Sequence, residues 1–193
     1  MTADEALVRL MEGHSRFLQG RPRFNALEEL SKGQQPYATI LGGSDSRVPP
    51  EVISDATPGA LFVIRGAGDV LSAEVMGSLQ YAGSHIKTPL FVVLGHDGCG
   101  AVAAALESRL HGVEHLSRIQ VLVDSIQPAL ERVGPRLEPE QQIEAAVEAN
   151  VRRTMQAILE PPGGQARVRE GVLKLVGAIC DLASGRVRLL DPS

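Results

Sequence analysis

Two stretches of this chain gather residue types that can do chemistry: Leu41-Gly42-Gly43-Ser44-Asp45-Ser46-Arg47 and Leu94-Gly95-His96-Asp97-Gly98-Cys99-Gly100. His96 and Cys99 offer a nitrogen and a sulfur three residues apart, a spacing that lets both point at one zinc ion as the chain turns into a helix. The same pair is equally compatible with a core histidine and a buried cysteine. Asp45 and Arg47 can likewise be a surface ion pair, with Ser44 and Ser46 capping the turn. Each stretch closes an apolar run, and in open α/β sheets ligands bind where loops leave the carboxyl ends of strands. The two stretches are therefore expected to meet in one site.

The elements that must position them follow from hydrophobic patterning. The apolar runs 37–41, 60–64, 89–94 and 172–179 are short and suit strands covered on both faces. Segments 70–83, 100–110, 116–133 and 139–159 read as helices between them. This alternation predicts an α/β fold with a mainly parallel sheet flanked by helices. Upstream, Thr2-Ala3-Asp4-Glu5 has the spacing of a capping box, and Leu7, Leu10, Met11, His14, Phe17 and Leu18 form an apolar stripe ending near Gly20. Residues 160–164 read as a breaker-rich connection, and Ser184-Gly185 as a turn before a final strand over 186–190.

Composition narrows the function classes. The 193 residues carry 19 Lys+Arg against 23 Asp+Glu, a net charge of −4, and no basic run longer than a pair such as Arg152-Arg153, so a phosphate-neutralising nucleic-acid binder is not expected. Hydrophobic residues make up 44% and aromatic residues 3%, with no Trp, so the core must be aliphatic. No apolar run approaches the ~20 residues that span a bilayer. The acidic first residues lack the pattern of a secretory signal, and a cytoplasmic location is expected. In that setting Cys99 and Cys180 are expected as free thiols or metal ligands. One domain, residues 1–193, accounts for the length.

Taken together, the motifs resemble those of the β-class carbonic anhydrases over nearly the whole chain. The likeness is carried by Arg16-Phe17-Leu18-Gln19-Gly20, Gln34-Gln35-Pro36, Ser44-Asp45-Ser46-Arg47-Val48-Pro49-Pro50-Glu51, Phe62-Val63-Ile64-Arg65-Gly66-Ala67-Gly68, Gly77-Ser78-Leu79-Gln80-Tyr81, Gly95-His96 through Cys99-Gly100, and Asn150-Val151-Arg152. The resemblance implies an N-terminal helical arm over 1–35 that packs on a neighbouring subunit of a homodimer or tetramer. It also implies one zinc ion per chain and reversible hydration of carbon dioxide to bicarbonate, a lyase reaction in which hydroxide formed at zinc attacks carbon dioxide. Asp45 and Arg47 would be the catalytic pair. Gln34, Gly66, Ala67 and Gly68 would face the substrate, although Gln34 also fits a polar turn residue and the glycines a flexible strand-to-helix turn.

One position departs from the family pattern. Members place a zinc-binding cysteine directly before the Ser-Asp-Ser-Arg run, and here that position is Gly43. The remaining ligands are at most Asp45, His96 and Cys99, since Cys180 lies in a strand and Ser44 is a poor zinc ligand. Two outcomes are expected to compete: Asp45 stays on zinc beside His96 and Cys99, or metal fails to bind and Asp45 pairs with Arg47 in an empty pocket. The first leaves three protein ligands plus a water, the general pattern of catalytic zinc, and is compatible with surviving activity. Impaired hydration is the expected result overall, and the alternative is a non-catalytic, metal-poor homologue serving as a scaffold or binding protein. Arg65 is expected to form no bicarbonate regulatory site, because Ile40 and Cys180 stand where accompanying aromatic residues would. Asp69 and Asp97, where small or amide residues are commoner in the family, are expected to be solvated loop carboxylates.

Overall fold

The computed structural model describes residues 30–134 and 137–191. The chain divides into two units, Met1–Gln34 and Gln35–Ser193, and the second carries the sheet and the candidate site. The expected capping-box helix and apolar stripe lie outside the described residues.

Four of the apolar runs become the strands β1 (Ala38–Gly42), β2 (Leu61–Arg65), β3 (Leu90–His96) and β4 (Lys174–Cys180), and a short β5 (Val187–Leu189) completes the sheet. The order is β2-β1-β3-β4-β5. The first four strands run parallel and β5 is antiparallel to β4. The α/β reading of a mainly parallel sheet therefore holds. Register sets the site: Gly42 at the end of β1 pairs with Arg65 of β2 on one side and with Leu94 of β3 on the other. The segments following these three strands thus emerge together at one edge of the sheet.

Among the described residues of this unit six α-helices accompany the sheet: α1 (Pro50–Ile53), α2 (Ala73–Tyr81), α3 (Gly100–His111), α4 (Arg118–Ile126), α5 (Pro139–Leu159) and α6 (Pro162–Arg169). Their ends differ from the periodicity-based bounds for local reasons. The side chain of Ser72 accepts the Val75 N–H, so α2 starts three residues later than its apolar pattern. Beyond Ile126 the chain tightens into a 3-10 helix over Gln127–Arg132, because Pro128 has no N–H to donate to a continuing α-helix. The breaker-rich stretch 160–164 is itself the start of α6. Pro162 occupies its first turn, where a missing N–H costs nothing.

The core is aliphatic, as the composition requires. On one face of the sheet Leu41, Val93, Val102, Ile126, Leu130 and Val151 are nearly inaccessible, and on the other Ala38, Ile40, Val48, Leu94, Ala178 and Cys180 form a smaller cluster. Helix α5 begins with a capping box between Glu138 and Gln141 and buries Ala146, Val147, Asn150, Val151, Thr154 and Ile158 at helical spacing. Two of those six are polar, and both are spent on the loop that follows β2. No helix among the described residues is long and apolar enough to cross a membrane.

Candidate active site

Asp45 sits in the loop leaving β1 and is held on three points by Arg47. The Arg47 backbone N–H and Nε each donate to Asp45 Oδ1 at 2.9 Å, and Nη2 donates to Oδ2 at 2.6 Å. These bonds hold the Asp45 carboxyl well below the usual carboxylate range. The loop is fixed in turn by Arg65 at the end of β2. Its guanidinium donates to the backbone carbonyls of Gly43 at 2.9 Å, Asp45 at 2.5 Å and Val48 at 3.3 Å. Arg65 is thus a clamp on the Asp45 loop.

His96 ends β3 and is 3% exposed. Its Nε2 lies 3.3 Å from Asp45 Oδ2, yet the two are not aligned as a hydrogen bond and Nε2 has no hydrogen-bond partner. Burial lowers the His96 pKa, only partly opposed by the Asp45 charge, so the imidazole is neutral with a lone pair to offer. Cys99 directly precedes α3 and is also buried. Burial raises its thiol pKa, while the N–H groups of Ala101 and Val102 at the start of the helix pull the other way. Two chain stretches fifty residues apart in sequence therefore meet in one site, and Asp45, Arg47 and His96 are directly assembled.

The space between them is shaped by Gly43 and Asp69. A Cβ added at Gly43 would lie 3.1 Å from His96 Cε1, 3.3 Å from His96 Nδ1 and 3.7 Å from Asp69 Oδ1, so a side chain here would project among these groups. Asp69 corrects the expectation of a solvated carboxylate. It is 3% exposed, its Oδ1 has no hydrogen-bond partner, and burial pushes its pKa well up. Its turn, Ala67–Asp69, hangs on α5: Asn150 Nδ2 donates to the Gly68 carbonyl at 2.8 Å and Thr154 Oγ1 to the Asp69 carbonyl at 3.4 Å. Gly68 adopts φ +69°, and a Cβ there would come within 2.6 Å of Ile126 Cδ1. Asp97 is likewise no free loop carboxylate: half-buried, it accepts the Leu182 N–H at 2.7 Å and ties β3 to the turn after β4.

The carbonic anhydrase family profile matches residues 38–187, the segment that supplies every residue of this site. The chain belongs to the β-carbonic anhydrases. Carbonic anhydrase 2 of Mycobacterium tuberculosis is 35% identical over 188 residues, covering 94% of this chain and 90% of its own. A carbonic anhydrase of Mycolicibacterium smegmatis is 34% identical over 193 residues, covering 93% and 89%. Among solved structures, a Coccomyxa β-carbonic anhydrase in complex with acetazolamide superimposes with a TM-score of 0.85 at 25% identity, covering 98% of this chain and 87% of that one.

Zinc is the metal expected of a β-carbonic anhydrase, and the donors can be judged against it. A buried neutral imidazole with an unpartnered nitrogen, a buried thiol and buried or half-exposed carboxylates are the donor types zinc takes in tetrahedral sites. Among the described residues no three such side chains are already gathered into a metal cluster, so the donors fit in kind and would have to close in around the ion. Cys180 is no substitute for the missing donor. Its thiol turns to the Asp181 carbonyl at 3.8 Å, and the charges it feels are those of Asp97 and Asp181, whereas Cys99 feels Asp69 and Asp45. Gln34 falls in the first unit. Sequence reasoning missed Asp69 and the clamping role of Arg65, since neither a loop carboxylate nor an arginine at a strand end announces which buried partner it has.

Proposed function

We propose that this chain catalyses the reversible hydration of carbon dioxide to bicarbonate, with one zinc ion per chain held by His96, Cys99 and a carboxylate, and with Asp45 and Arg47 as the catalytic pair. The observation that carries this reading is the Arg47-held carboxylate of Asp45 standing beside the unpartnered Nε2 of His96. When bound, the metal supplies a Lewis acid that brings the pKa of water from about 15.7 towards 7.

The chain's own residues do the rest. Arg47 keeps Asp45 ionised at every physiological pH, so the carboxylate acts purely as an acceptor and orients the O–H of the attacking water. His96, neutral because it is buried, offers a nitrogen rather than a charge. Arg65 holds the carbonyls of the 43–48 loop so that Asp45 does not drift. Gly66, Ala67 and Gly68 present backbone to the substrate, and Gln34 supplies a polar contact across the interface of a homodimer or tetramer. The absent thiolate at Gly43 slows the reaction. The protein works in the cytoplasm.

The competing reading is a metal-poor homologue acting as a scaffold, favoured by the absence of a pre-gathered three-donor cluster among the described residues. Stopped-flow carbon dioxide hydration on zinc-supplemented protein decides between them. The expected result is activity above buffer that disappears in His96→Ala and rises in Gly43→Cys, for which His96 must shift by a few tenths of an ångström. A rate indistinguishable from buffer in both wild type and Gly43→Cys supports the scaffold.

A further inference from the structure

We propose that Asp69 is the zinc ligand that stands in for the donor missing at Gly43, so that Asp69, His96 and Cys99 hold the ion and Asp45 remains with Arg47. The inference rests on the functional reading above.

Three observations carry it. Asp69 is 3% exposed and its Oδ1 has no hydrogen-bond partner; burying a carboxylate oxygen without a partner is costly, and such groups pair or coordinate metals. That oxygen faces the space left by Gly43. It lies 3.7 Å from where a Cβ at position 43 would be, and the same Cβ would lie 3.1 Å from the His96 ring. Asp69 and the Cε1–Nδ1 edge of His96 therefore border one gap, and a second orphaned buried atom, Nε2, is on the same ring, turned towards Asp45. Finally, the backbone is held for the purpose. Asp69 adopts φ +54°, the left-handed region that few non-glycine residues enter, and the turn is anchored by Asn150 and Thr154 from α5.

Charge fits as well. One carboxylate replacing one thiolate leaves two negative ligands and one neutral imidazole around a divalent ion. Asp45 is then spared for its bonds to Arg47, which it would forfeit by turning onto the metal. The two outcomes expected from sequence, Asp45 on zinc or no zinc, are joined by a third that keeps both the ion and the Asp45–Arg47 pair.

The test is zinc stoichiometry and affinity, by competition with a chromophoric chelator, for the full chain, Asp69→Asn and Gly43→Cys/Asp69→Asn, with visible spectra of the cobalt(II) forms as a second readout. Wild type is expected to bind one zinc per chain. Asp69→Asn, nearly isosteric, should weaken binding by more than ~100-fold, beyond what loss of an outer partner causes, and alter the cobalt bands. Gly43→Cys/Asp69→Asn should bind tightly again. The metal-free melting temperature of Asp69→Asn should equal or exceed that of wild type, since a neutral amide is cheaper to bury than a carboxyl group that must give up its charge. Equal zinc affinity in wild type and Asp69→Asn overturns the role of Asp69 while leaving zinc binding intact. Failure of wild type and of Gly43→Cys/Asp69→Asn alike to bind zinc overturns the functional reading with it.

Discussion

Asp45 Oδ2 stands 3.3 Å from His96 Nε2 while the same carboxylate accepts three hydrogen bonds from Arg47. Asp45 thus belongs to Arg47 first and to His96 only by proximity, which is the disposition expected of a group that orients a reacting water.

Replacing the guanidinium tests that division. Arg47→Gln removes the side-chain bonds that depress the Asp45 pKa. Asp45 should then titrate closer to the ordinary carboxylate value near 3.9, and the acid limb of the pH–rate profile should move up in pH. Hydration should fall by roughly 10–100-fold, the usual cost of losing an orienting partner. For stability, a depressed folded pKa contributes above the unfolded value and is lost as pH falls below it, so the difference between wild type and Arg47→Gln should narrow below about pH 4.

Asp69 has the opposite sign. Burial raises its folded pKa, so between the unfolded value near 3.9 and the folded one the native state holds a proton that the unfolded chain has released. Metal-free protein should accordingly lose stability as pH rises through that window, by up to about 1.4 kcal/mol per pH unit. Asp69→Asn should flatten the slope, and zinc should flatten it in wild type because a bound cation inverts the local preference. Urea unfolding at a series of pH values reads all three.

Gly68→Ala should be among the more destabilising single-methyl changes in the chain. The added carbon would meet Ile126 Cδ1 at 2.6 Å and Ala101 Cβ at 3.1 Å in a left-handed backbone. Overpacking and the conformational penalty together come to about 2–5 kcal/mol. Lower zinc affinity should accompany the loss of urea midpoint, since the displaced turn carries Asp69.

Arg65→Ala removes the donors to three carbonyls of the Asp45 loop. A loss of about 1–3 kcal/mol in stability is expected, together with a lower kcat. Zinc affinity should change little, because His96, Cys99 and Asp69 stand on other segments.

Much of this was legible in the sequence. Strands β1 to β4 were visible as short apolar runs, and the glycine-rich stretches after β1 and β3 announced a shared site at the strand ends. What could not be read was depth. The local pattern around Asp69, Gly66-Ala67-Gly68-Asp69, is that of a solvated turn. Its burial is decided by Asn150 and Thr154, more than eighty residues away, pulling the turn against α5. Helix ends were misjudged wherever one residue overrode periodicity, as Ser72 does by capping and Pro128 by lacking an N–H. Pro162 did the reverse, starting a helix where a connection was expected.

The most direct measurement is a crystal structure of the zinc-supplemented protein with anomalous data on both sides of the zinc absorption edge. The account predicts an anomalous peak bonded to Asp69, His96 and Cys99, with Asp45 still on Arg47. A map without a peak at His96 and Cys99, or with a peak ligated by Asp45 while Asp69 points elsewhere, contradicts it.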